Sequence, residues 1–150
     1  MPNLLIRIPQ GTFPGTHRAD LGRLLSDAAA TAERIPDDPR RRALCWVQVE
    51  EVAAGGWTCG GADPGAGLLP CVVQACVPAG VLDDAARAEF VRLVHEAVQA
   101  ARPAGDTRPL VTSVLLQEVP DGTWGVNGRI WRLADFAAAA GYAHLQQASS

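Results

Sequence analysis

Residues 47–61 read VQVEEVAAGGWTCGG, and residues 114–128 read VLLQEVPDGTWGVNG. A shift of 67 residues lays one on the other, with Val, Glu, Val, Gly, Trp and Gly identical at six of fifteen positions. Two of the chain's four tryptophans fall on each other in this way. The pattern predicts a duplicated unit whose strand runs into a glycine-rich hairpin carrying E-V-x-x-G-x-W-x-x-x-G.

Working outward, each copy is preceded by the same succession. Residues 3–9, NLLIRIP, read as a strand closed by Pro9. Leu21, Leu24, Leu25, Ala28, Ala32 and Ile35 recur at helical spacing, which predicts a helix over 17–34 stopped by Pro36-Asp37-Asp38-Pro39. Residues 44–52 form the next strand. In the second copy, 71–77 read as a strand, and Asp83-Asp84 caps a helix with Ala86, Phe90, Leu93, Val94, Ala97 and Ala101 on its face. Residues 102–105 end that helix, and 110–119 form a fourth strand. The expected fold class is α+β: two tandem β-α-β units sharing a four-stranded sheet, with two helices on one face. The halves cover about 1–61 and 69–130, joined by a linker at 62–68. A short C-terminal helix follows within 131–145, ending near Gly141, and residues 146–150 are expected to fray. The uncovered sheet face predicts self-association, with a homotrimer expected.

Composition narrows the chemistry. The chain has 150 residues, 48% hydrophobic and 19% charged, with a net charge of -3. That profile fits one soluble globular domain and argues against a nucleic-acid partner or an anionic membrane surface. All thirteen basic residues are arginine. The absence of lysine excludes Schiff-base lysines, pyridoxal phosphate anchoring and P-loop lysines. The terminal amine is the chain's one candidate for amine chemistry. Cys45, Cys59, Cys71 and Cys76 show no C-x-x-C spacing and no nearby histidine pair, so no metal and no cofactor is expected. The opening MPNLLIRIPQ has too short an apolar run for a signal peptide, and no stretch reaches membrane-spanning length, which predicts a cytoplasmic protein.

Pro2 directly after Met1, the strand behind it, the doubled unit and the G-x-W hairpins resemble the tautomerase superfamily, whose short members include 4-oxalocrotonate tautomerase. Malonate semialdehyde decarboxylase and cis-3-chloroacrylic acid dehalogenase are fused, two-unit members of about this length, and the segment Glu118-Val-Pro-Asp121-Gly-Thr-Trp124-Gly-Val-Asn-Gly128-Arg129 resembles the corresponding segment of the decarboxylase. The resemblance implies a keto–enol isomerase in which Pro2, freed of Met1, serves as general base or acid. Burial in an apolar pocket lowers an amine's pKa toward neutrality, which suits a base. It further implies substrate-binding roles for Arg129, Trp57, Trp46, Asp38 and Arg7. Four have a plainer alternative: a surface arginine for Arg129, core or interface packing for the tryptophans, and a helix stop for Asp38; Arg7 ranks below them, facing opposite to Pro2's register on the first strand.

The chain departs from the family where arginines bind substrate carboxylates. Thr12 follows Gly11, Trp46 stands in the second strand, and 77–81 carry no charge. Leu115 and Val126 fall near the positions of the dehalogenase's water-activating tyrosine and glutamate. An apolar or biosynthetic carbonyl substrate is therefore expected rather than a small diacid. The alternatives are a catalytically inactive trimer that binds a ligand or protein, and a ferredoxin-like domain with no use for the terminal amine.

Overall fold

A computed structural model describes residues 1–146, so the expected fraying over 146–150 lies, beyond Gln146, outside the described residues. Strand β1 (Asn3–Pro9) leads through helix α1 (Thr16–Ala32) and a single turn, α2 (Pro39–Arg42), to β2 (Trp46–Val52). Strand β3 (Leu69–Pro78), helix α3 (Asp84–Ala101) and β4 (Leu110–Val119) repeat the succession. The chain continues through β5 (Trp124–Val126), β6 (Arg129–Trp131), α4 (Leu133–Ala140) and α5 (Ala143–Gln146).

The sheet order is β2-β1-β3-β4. β1 and β2 run parallel, as do β3 and β4, while β1 and β3 are antiparallel at the centre. In that central pairing Ile6 lies opposite Val73, its own counterpart under the shift of 67. The duplication thus meets itself across the middle of the sheet.

Alternation sets the two faces. Leu4, Ile6 and Ile8 of β1 and Cys71, Val73, Ala75 and Val77 of β3 are buried beneath α1 and α3. Those helices supply Leu21, Leu25, Ala28, Phe90, Val94 and Val98 to the same core. A fully buried leucine or isoleucine contributes about 1.5–3 kcal/mol, so this layer carries much of the fold. Trp46, Val111 and Leu115 project from the other face and stay exposed.

Two local expectations change. The prolines do not stop α1. Its end is a Schellman turn in which Ile35 N donates to Ala30 O and Arg34 N to Thr31 O. Arg34 takes the left-handed conformation there, at φ +56°. The second hairpin forms strands around Asn127-Gly128, both at positive φ, as a type I′ turn requires. The first copy makes only an isolated bridge between Cys59 and Ala62. Four of its seven residues over 55–61 are glycine, which leaves little side-chain packing to offset the entropy of ordering it.

Candidate functional site

The start of β1 is the most enclosed polar position in the described chain. Met1 is 3% exposed, Pro2 is buried, and Trp46 N donates to Pro2 O at 3.0 Å. The Met1 ammonium donates to Glu33 Oε2 at 2.9 Å and also meets the Tyr142 hydroxyl. The Tyr142 hydroxyl in turn donates to the same Glu33 oxygen. Glu33 and Tyr142 are both fully buried. The other carboxylate oxygen, Glu33 Oε1, is buried with no hydrogen-bond partner.

Local structure places these groups. Glu33 is the C-cap of α1, and the left-handed Arg34 turns the chain away directly after it. Gly141 ends α4 at φ +73°, and Tyr142 follows. His144 of α5 donates from Nε2 to Val81 O at 3.2 Å, and its ring lies 5.9 Å from that of Tyr142. Cys45, also buried, stands in the lead-in to β2.

Burial pushes the Glu33 carboxyl above its ordinary range, against the attraction of the terminal ammonium and the Tyr142 hydrogen bond. Burial likewise raises the Tyr142 phenol, with the Glu33 charge adding to it. The Cys45 thiol is pushed up to about 11, chiefly by burial and then by Glu33. The Cys71 thiol rises to about 12 for the same first reason, so both are unreactive thiols at neutral pH.

Of the residues named from sequence, Trp46 adjoins Pro2 and is 57% exposed. Trp57 lies at the opposite end of β1, lining a cleft of about 430 Å3 with Pro9, Val52 and Arg108. At about 3.3 Å per residue, β1 separates Pro2 from that cleft by roughly 23 Å. Arg7 sits on the open sheet face, donating to Glu50 at 2.9 Å and to Gln74 at 3.1 Å. Asp38 caps α2 by accepting from Arg40 N at 2.8 Å. Arg129 lies exposed on β6. One chain therefore joins Pro2 to Trp46 through the backbone alone, the Trp46 side chain standing level with Asn3 on the open sheet face, and holds Trp57 and Arg7 apart from Pro2.

Glu33 and Tyr142 were missed by sequence reasoning. Glu33 had a legible signal: it follows Ala29 by four residues, a lone carboxylate continuing the apolar face of α1. Tyr142, the chain's single tyrosine, had none beyond its place after a helix-ending glycine. Among the described residues no cluster of three or more histidine, cysteine, aspartate or glutamate side chains is placed to hold a metal ion. No described helix is long and apolar enough to cross a membrane.

The fold is tautomerase-like. The chain is similar to the Q0 fused 4-OT wild-type symmetric trimer, with 24% identity and a TM-score of 0.67 over 92% of this chain and 98% of that one. It is similar to Pt0534 inactivated by 2-oxo-3-pentynoate, with 16% identity and a TM-score of 0.69 over 85% and 94% of the two chains. The macrophage migration inhibitory factor of Toxoplasma gondii shares the architecture at 13% identity and a TM-score of 0.63, over 86% and 99%. No protein-family model and no curated protein matches the sequence.

Proposed function

We propose that this chain is a tautomerase-type enzyme in which Pro2, exposed as the terminal amine by removal of Met1, moves a proton on a carbonyl substrate. The observation that carries this reading is the burial of the chain's first amine beside Glu33 and Tyr142 at the head of a tautomerase-like sheet. A secondary amine held in a ring and shielded from water suits acid–base work near neutral pH. Assembly as a homotrimer, the state of the Q0 fused 4-OT structure, is part of this reading, and Trp57, remote from Pro2 within one chain, would serve that amine only from another copy. Decarboxylation or hydration on the same scaffold would use the same amine.

The test joins intact mass with ketonisation of phenylenolpyruvate followed by ultraviolet absorbance. Loss of Met1 from the purified protein, and a fall of about a hundredfold or more on Pro2→Ala, are expected. A second reading, an inactive ligand- or protein-binding trimer, is favoured by one feature: Met1's ammonium already pairs with Glu33 Oε2. Retained Met1 with wild type and Pro2→Ala equally inert would establish that alternative.

A further inference from the structure

The buried carboxylate beside the terminal amine bears on the direction in which that amine works. Pro2 N lies one residue along the chain from Met1 N, no more than about 3.7 Å away by backbone geometry. With Met1 removed, the amine therefore stands no more than about 6–7 Å from Glu33 Oε2, near the range in which an opposite charge favours the protonated form. Met1 is itself buried, so its departure vacates the volume of one methionine beside Pro2 and Glu33. Glu33 Oε2 already accepts from Tyr142, while Oε1 is bare. A buried carboxylate with one idle oxygen is a poor structural element and a good proton acceptor.

We propose that Glu33, backed by the Tyr142 hydroxyl, holds the freed Pro2 amine protonated and takes up the hydroxyl proton of a neutral enol. This rests on the Pro2 reading above. In the ketonising direction the enol O–H proton passes to Glu33 Oε1 as the carbonyl forms. The enol's carbon–carbon pair takes the proton of the Pro2 ammonium, making the new C–H bond. The product is the ketone, beside a neutral amine and a neutral carboxylic acid. Transfer of the proton from Glu33 back to Pro2 N restores the starting pair, with no net gain or loss.

The surroundings favour a neutral substrate. The groups facing Glu33 are the terminal amine, the Tyr142 phenol, the His144 ring and, from the lead-in to β2, the Cys45 thiol. A substrate carboxylate placed here meets the Glu33 charge. The neighbouring guanidiniums are already paired, Arg34 with Asp83 at 3.5 Å, Arg41 with Asp38 at 3.9 Å and Arg42 with Asp27 at 2.5 Å. Glu33 is thus a catalytic residue for an uncharged enol, and Tyr142 its positioning residue.

The experiment titrates the Pro2 nitrogen by NMR in 15N-proline-labelled full-length protein, checked by intact mass. In Glu33→Gln the amine's pKa is expected to fall by about one unit or more. Phenylenolpyruvate and its methyl ester then report the substrate class. Wild type should prefer the ester in kcat/KM, and Glu33→Gln should lose about tenfold or more on the ester. Tyr142→Phe keeps the charge and should move the acid limb of the pH profile upward, which a purely structural role would not do. It also tests the pair if Glu33→Gln does not fold. An amine titration unchanged in Glu33→Gln, or an acid limb unchanged in Tyr142→Phe, overturns the Glu33 role while leaving Pro2 chemistry standing. Retained Met1 overturns the Pro2 reading itself.

Discussion

Arg34 occupies a backbone conformation that glycine adopts freely and arginine does not. Its φ of +56° is the left-handed step that closes the Schellman turn of α1, and an L side chain there costs roughly 1–2 kcal/mol. The strain sits one residue from the buried Glu33, and its effect is to reverse the chain so that Glu33 turns inward. The Arg34–Asp83 contact is half-exposed and worth a few tenths of a kcal/mol at most. Arg34→Gly should therefore stabilise the protein by about 1 kcal/mol, after glycine's greater unfolded-state freedom is set against the relief of strain. Calorimetry should show the midpoint rising by about 2–4 °C. A lower midpoint would mean that the arginine side chain holds the turn by contacts stronger than its backbone strain.

At the scale of elements, the link from α3 into β4 depends on a short charged loop. Asp106 accepts from Arg108 Nε at 2.9 Å and Nη2 at 2.6 Å, and Arg108 N reaches the same carboxylate at 3.2 Å. Those hydrogen bonds hold the Asp106 carboxyl below its ordinary range. A carboxyl lowered in the folded state stabilises above its unfolded value of 3.8 and loses that contribution as pH falls through its folded value. Asp106→Asn should cost about 1 kcal/mol at pH 7 in urea unfolding, and the difference from wild type should shrink toward pH 2. The elements themselves were largely legible, because period-2 and period-3.6 patterns follow from which face each element buries. NLLIRIP and the Asp83-capped helix fall where expected. The end of α1 was not, since a left-handed arginine leaves no mark in composition. The Glu33–Tyr142 pair was hidden because its members lie 109 residues apart and meet only once the turn after α4 has returned to the end of α1. The Pro2–Trp46 backbone contact follows from strand pairing, whereas any role of Trp57 or Arg129 at Pro2 rests on the assembly proposed above, which one chain's sequence does not position.

For the whole molecule, the open sheet face matters most. Trp46, Val111 and Leu115 stand there at 57%, 52% and 50% exposure, flanked by Gln48, Gln74, Gln117 and the Arg7–Glu50 pair. Apolar side chains on a face otherwise furnished with amides suit an interface between copies rather than a core. For the homotrimer proposed above, analytical ultracentrifugation should give the mass of three chains. Leu115→Arg, which sets three like charges close together if that face is shared, should reduce it toward one. An unchanged mass for Leu115→Arg would put the contact between copies elsewhere.

The enclosed head of β1 also makes the molecule its own reporter. A chain without lysine offers amine-directed acylating reagents a single target, and here that target is out of reach of bulk water. With Met1 in place, an N-hydroxysuccinimide ester should label the folded protein far more slowly than the denatured chain, which takes one label. The slow labelling rate in buffer then measures how often the first strand lifts from Glu33 and Tyr142.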